Sequence, residues 1–280
     1  MDADAPSSPG SRLHARARSG DGDDHPALLF VHGLGDGAHV WDATLDRLGP
    51  VGAVFSVDLP GHGDAPWRPG GGYSIETHAS DLLAIITGRP VTRWILVGHS
   101  LGASVITRMA LAEPSRIAGL VLVDPARQVA VEAVTRMLGD LRAIRGAGFQ
   151  SVQAYEAELA RQRPLAEPAT VRQLARAALR RGEDGRFRVR FDPAVLDFDP
   201  ADEIALAEAE VEGMRALRCP TLVIRGAGSA FLSRGAATHL AAEILAEGRL
   251  ETIPRAGHAV MVDNPQALAE AIRRFVLSLA

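Results

Sequence analysis

Trp94-Ile-Leu-Val-Gly98-His-Ser100-Leu-Gly102-Ala103-Ser104-Val105-Ile106 reads as a buried strand, a tight turn carrying a serine, and a helix that begins at once. Gly98 and Gly102 flank Ser100 as G-x-S-x-G, and so sharp a strand-to-helix reversal needs neighbours without side chains. Such a turn lifts the serine hydroxyl above the sheet at a helix N-terminus, where unpaired N–H groups and the helix dipole favour negative charge. Ser100 is therefore the candidate nucleophile, and the N–H of Leu101 a candidate donor to an oxyanion. An ordinary Gly/Ser loop is the bland alternative, but it would lack the apolar run before the turn and the helical pattern after it.

Upstream, Ala27-Leu-Leu-Phe-Val31 is a short apolar run of the kind buried on both faces of a parallel sheet, and it ends in His32-Gly33-Leu34-Gly35. That glycine loop can aim the N–H of Leu34 at the same oxyanion position as Leu101. Before it, residues 11–19 alternate like an edge strand and Gly20-Asp-Gly-Asp-Asp24 turns the chain, which predicts a hairpin into the core. After it come a helix over 41–48, a strand over 52–58 and the turn Asp58-Leu-Pro-Gly-His-Gly63. A helix follows from Ser74, capped by Ser74 or Thr77, and stops at Gly88 and Pro90.

Downstream, Ile117-Ala-Gly-Leu-Val-Leu-Val-Asp124-Pro125 is another buried strand that ends in a carboxylate, at the strand edge where open α/β sheets bind ligands. Strands are expected again at 219–226 and 249–253, with a helix between them around 235–245. His258 follows the last strand in Pro254-Arg-Ala-Gly-His, and a closing amphipathic helix runs from Asn264 and Pro265 to 279.

The ordered motifs His32-Gly33-Leu34-Gly35, Asp58-Leu-Pro-Gly-His-Gly63, Gly98-His-Ser-Leu-Gly102 and Gly257-His258 resemble the α/β-hydrolase superfamily across nearly the whole chain. The resemblance implies an α/β fold with a mostly parallel central sheet flanked by helices and an inserted helical lid. It implies a triad in which Ser100 attacks, His258 takes the proton and an acid orients the imidazole, with Leu34 and Leu101 as oxyanion donors. Asp58, His62, His32 and His99 take structural roles in this reading. Where the family most often carries the acid, in the loop after the strand at 221–225, this chain reads Arg225-Gly226-Ala-Gly-Ser229-Ala230-Phe231, with Ala230 in its place. Some members place the acid after the strand that follows the nucleophile helix, so Asp124 is the expected triad acid. A lid carboxylate such as Asp199 or Asp202, or a dyad with no acid, is the alternative.

Residues 126–215 break the strand–helix rhythm and are expected to form the lid between core segments 1–125 and 216–280, with residues 1–10 disordered. Nine arginines fall between Arg161 and Arg190, and Arg172, Arg176 and Arg180 recur every fourth residue. They read either as a solvated helix face or as a landing site for an anionic or carrier-bound acyl substrate. Phe149, Tyr155, Phe187, Phe191 and Phe198 read either as acyl-pocket lining or as packing within the lid.

The chain has 280 residues, a net charge of −4 and thirty basic residues that are all Arg, so neither nucleic acid nor an anionic membrane is an expected partner. The Asp/Ser/Pro/Gly-rich start carries no apolar core of a signal peptide or anchor, and the single Cys219 fits a reducing cytoplasm. No cofactor is expected, and no His-x-x-x-His spacing suggests a metal. The leading expectation is a serine hydrolase that cleaves a small-molecule ester, lactone or thioester through an acyl-enzyme. A C–C hydrolase, lyase or cyclase on the same fold, or a ligand-binding protein with a vestigial site, are the alternatives, and substrate and oligomeric state are left open.

Overall fold

The computed structural model describes residues 12–16, 26–127 and 131–279, so the expected disorder of residues 1–10 and the turn at 20–24 lie outside the described residues. Strands β1 (Arg12–Arg16), β2 (Ala27–Val31), β3 (Val54–Asp58), β4 (Trp94–His99), β5 (Ile117–Val123), β8 (Thr221–Gly226) and β9 (Gly248–Ile253) form one seven-stranded sheet in the order β1-β3-β2-β4-β5-β8-β9. All neighbouring pairs are parallel except β1 against β3.

The central strands β2, β4 and β5 are buried at every position because both faces of the sheet are covered. Leu29 and Val31 pack to one side with α2 (Ile75–Thr87), α3 (Leu101–Ala112) and α8 (Arg234–His239), whereas Leu28 and Phe30 pack to the other. On that second side lie α1 (Asp42–Leu45), α9 (Val260–Asp263) and α10 (Pro265–Leu277). Each such fully buried side chain contributes roughly 1.5–3 kcal/mol, so strands of this kind have no polar face to alternate with. Helix ends fall where the caps stand: Ser74 accepts from the N–H of Thr77, and Asn264 from that of Ala267 ahead of Pro265.

The expected hairpin from β1 into β2 does not form. β2 has β3 on one side and β4 on the other, so both its edges are occupied, and β1 lies antiparallel on the free edge of β3, from Arg12 opposite Asp58 to Arg16 opposite Val54. The expected helix over 41–48 is a 3₁₀ turn at Ala38–Trp41 followed by the single α-turn of α1. The expected helix around 235–245 continues past α8 as a π-turn, Leu240–Ile244.

Between β5 and β8 lie α4 (Val131–Ala147), α5 (Val152–Gln162), α6 (Pro168–Ala177) and α7 (Pro200–Met214). A short hairpin, β6 (Leu179–Arg181) with β7 (Phe187–Val189), interrupts the helical reading of this segment. It removes Arg180 from the expected four-residue stripe, because α6 ends at Ala177. The segment has its own apolar cluster, built on Leu138, Tyr155, Leu159, Val171 and Phe191 and packed against Leu34 and Phe231 of the sheet loops.

Strand order reverses at β2, since the chain builds β3 on one side and then crosses to β4 on the other. Ligands bind at such a switch point, outside the carboxyl ends of the diverging strands. The loops that leave β2 and β4 there are the ones that carry Leu34 and Ser100.

Candidate active site

Ser100 sits between β4 and α3 with φ 50° and ψ −116°, a left-handed conformation for a non-glycine residue. Two close approaches hold it there. A Cβ on Gly98 would stand 2.3 Å from the carbonyl oxygen of Gly102, and one on Gly102 would stand 2.4 Å from that of Val31, so neither position accepts a side chain without moving backbone. Leu101 opens α3, so its N–H has no intrahelical acceptor, and neither it nor the N–H of Leu34 donates to another backbone group among the described residues. Ser100, Leu34 and Leu101 together line a cavity of about 260 Å³ between the sheet edge and the helical segment.

Asp124 leaves β5 with φ 44° and is fully buried. Its Oδ1 accepts the Gly226 N–H at 2.9 Å, and its Oδ2 accepts the Ser229 hydroxyl at 2.5 Å and His258 Nδ1–H at 2.8 Å. The loop that lacks an acid at Ala230 thus supplies donors to a carboxylate that arrives from the neighbouring strand. Ser229 is the functional residue the sequence reading missed. Its hydroxyl also accepts the N–H groups of Phe231 and Leu232, so the loop closes around it.

With Nδ1–H committed to Asp124, neutral His258 keeps its lone pair on Nε2. The ring stacks on Phe231, centroids 4.2 Å apart, and lies 4.6 Å from the His99 ring, whose Nε2 bonds the His258 carbonyl at 3.0 Å. Gly257 N–H donates to Asp263 at 2.8 Å and fixes the approach of the loop. Burial pushes His258 down to about 3, and the guanidinium of Arg163, at the end of α5, pushes the same way. Burial pushes the Asp124 carboxyl up to about 6 against the opposing pull of Ser229 and Gly226. At pH 7 the couple is therefore carboxylate beside neutral imidazole, which is the state of a general base.

His32, His62 and Asp58 brace turns. Asp58 accepts the N–H groups of Ala38 at 2.6 Å and Asp64 at 3.0 Å, while His32 bridges from the Gly33 carbonyl, 2.8 Å, to the Leu59 N–H, 3.0 Å. His62 donates to the Pro60 carbonyl at 3.1 Å, and burial pushes it down to about 3. The alternative acid Asp199 caps α7 by accepting from Ala201 at 2.8 Å, and Asp202 is exposed on the same helix. Of the five aromatics offered for an acyl pocket only Phe198 lines the cavity, and Phe231, not among them, lines it too. Tyr155 and Phe191 pack within the helical segment. No cluster of three metal-ligating side chains occurs among the described residues, and no helix among them is long and apolar enough to cross a membrane.

The sequence profile of the Alpha/beta hydrolase family matches residues 28–271. The esterase Rv0045c of Mycobacterium tuberculosis is 29% identical over 258 residues, which cover 90% of this chain and 83% of that one. The 2-(acetamidomethylene)succinate hydrolase of Mesorhizobium japonicum is 28% identical over 254 residues, covering 90% and 88%. Among solved structures, an E-2-(acetamidomethylene)succinate hydrolase superposes with a TM-score of 0.79 at 25% identity, over 94% of each chain.

Proposed function

Since the chain belongs to the alpha/beta hydrolase family, we propose that it is a serine esterase that works through an acyl-enzyme. The observation that carries this reading is the Asp124–His258 hydrogen bond of 2.8 Å, joined to the cavity that a strained Ser100 lines by Phe231, which lines the same cavity and stacks on His258. His258 Nε2 takes the proton of Ser100 as its oxygen attacks the ester carbonyl. The N–H groups of Leu34 and Leu101 hold the resulting oxyanion, and the imidazolium returns the proton to the departing alcohol. Water then adds to the acyl-enzyme with His258 again as base, and the acid product leaves. Asp124 holds the imidazole in the tautomer this requires, and Ser229 and Gly226 hold Asp124.

The segment between β5 and β8 acts as the lid, since its Val134, Met137 and Phe198 line the cavity together with Ser100. Ester hydrolysis by the Mycobacterium tuberculosis relative supports the ester class. The test is turnover of p-nitrophenyl esters together with labelling by a fluorophosphonate. We expect both in the wild type and neither in Ser100→Ala; ester turnover that survives this substitution would overturn the reading. Ligand binding without labelling of Ser100 would favour a non-catalytic receptor.

A further inference from the structure

We propose that the cavity selects neutral, medium-length apolar acyl groups and rejects substrates that carry a carboxylate; this rests on the serine esterase reading above. The fold likeness to a hydrolase named for a succinate, and the arginine-rich helical segment, both point to an anionic substrate. The cavity itself has the opposite chemistry.

Its apolar walls include Val134 and Met137 of α4, Phe198 and Phe231. Among the described residues no arginine lines it, and its charged lining is acidic: Glu76 on the first turn of α2 and Glu208 on α7, both exposed. None of the nine arginines that the sequence offered as a landing site lines this cavity. Arg161 pairs with Glu158, Arg188 with Asp184 and Arg190 with Asp64, Arg180 stacks over Trp67, and Arg163 lines a separate cavity. His62 and His78 also line the cavity, but burial pushes each down to about 3, so neither offers a cation at neutral pH.

A carboxylate drawn inside would lose its water and meet no positive partner, and burial of an unpaired charge is the most costly kind of desolvation. The two glutamates add a weaker repulsion at the mouth, because exposed charges are screened by solvent and salt and Glu76 also lies 3.6 Å from the Arg108 guanidinium. Desolvation in the cavity is thus the main filter, and the mouth charges refine it. The α2 N-terminus would by itself attract an anion, but Glu76 already presents its own carboxylate there. Length follows from volume: at about 30 Å³ for each water-sized group, 260 Å³ holds about nine such groups, so with one or two places taken by the ester oxygens an acyl chain of about six to eight carbons fits.

The experiment compares kcat/KM for p-nitrophenyl hexanoate with that for the mono-p-nitrophenyl ester of adipic acid, equal in carbon count but ending in a carboxylate. We expect the neutral ester to be favoured by roughly 10²-fold or more, since no group in the pocket repays the lost hydration. Activity along the unbranched series should peak near six to eight carbons and fall by twelve. Glu208→Arg, an exposed change that puts a cation at the mouth, should shift the adipate-to-hexanoate ratio upwards by roughly tenfold. Equal rates on the two esters, or a preference for adipate, would overturn the selectivity. Failure to hydrolyse any ester together with failure to label Ser100 would overturn the esterase reading instead, so the two outcomes are distinct.

Discussion

Asp124 is where catalysis and stability oppose each other most directly. Burial raises its carboxyl to about 6, so between the ordinary value of 3.8 and 6 the folded protein holds this proton more tightly than the unfolded chain does. Its contribution to stability is therefore fully present below the unfolded value and lost as pH rises through about 6. At pH 7 the buried charge is a net cost, and Asp124→Asn should raise stability there by on the order of 1–3 kcal/mol, read as an increase in Tm. The same change should lower kcat by up to roughly 10⁴-fold, because the Asn amide would donate to His258 Nδ1 and leave Nε2 protonated. An Asn variant that is both fully active and no more stable would remove Asp124 from this role.

The wild-type pH profile belongs to the couple and not to either residue alone. Burial raises the Asp124 carboxyl to about 6, so the couple takes up a proton as pH drops through about 6, and the acid limb of kcat/KM should lie there. A profile that stays flat to about pH 4 would mean that the couple keeps its catalytic protonation state well below that range. Ser229→Ala removes one of three donors to the carboxylate and should move that limb upwards, with a smaller loss of kcat than Asp124→Asn. Adding Ala230→Asp to Asp124→Asn should restore part of the activity, since the loop that carries residue 230 already packs against the Asp124 carboxylate through Ser229.

Among the elements, the junction of β4 and α3 tolerates little change. The helix starts so close to β2 that Gly102 faces the carbonyl oxygens of Val31 and His32 at 2.4 and 2.6 Å from where a Cβ would be. Gly102→Ala would force helix and strand apart. We expect destabilisation of about 1–3 kcal/mol together with loss of activity, because Ser100 and Leu101 are carried on the same turn. Thermal denaturation and fluorophosphonate labelling check the two effects separately, and an Ala variant with native Tm would mean that the junction is looser than its geometry implies.

In the whole molecule, the helical segment is tied to the sheet by a buried ion pair. Arg127, three residues beyond Asp124, donates to Glu210 of α7 at 2.8 Å, with both side chains almost entirely buried. Glu210 also lies 3.9 Å from Arg108 of α3, so three elements meet at one carboxylate. Arg127→Ala would strand that carboxylate and should cost about 3–5 kcal/mol, whereas replacing both partners by apolar residues, as in Arg127→Met with Glu210→Leu, should be near neutral. Chemical denaturation distinguishes these, and equal losses in the two variants would argue that packing and not charge joins the segment to the core.

The amino-acid sequence by itself determined the parts whose signals are local. The apolar runs of β2, β4 and β5, the caps at Ser74 and Asn264 and the glycines around Ser100 all depend on backbone sterics and on burial within a few residues. So does the position of Ser100 above the sheet. What joins distant segments was decided only in three dimensions. Asp124 and His258 are 134 residues apart, and their contact depends on β5, β8 and β9 lying side by side so that the loop after β9 returns to the carboxylate at the end of β5. Ser229 had no local signal, because a loop serine becomes a donor only when a carboxylate is brought to it. The arginine stripe looked like one surface on the assumption of a single helix, and the β6–β7 hairpin broke it. The edge taken by β1 was fixed by which strands had already occupied the sides of β2. Periodicity and turn chemistry act through neighbours in the chain, whereas pairing order, pocket lining and the partners of buried charges depend on which surfaces meet when the whole chain packs.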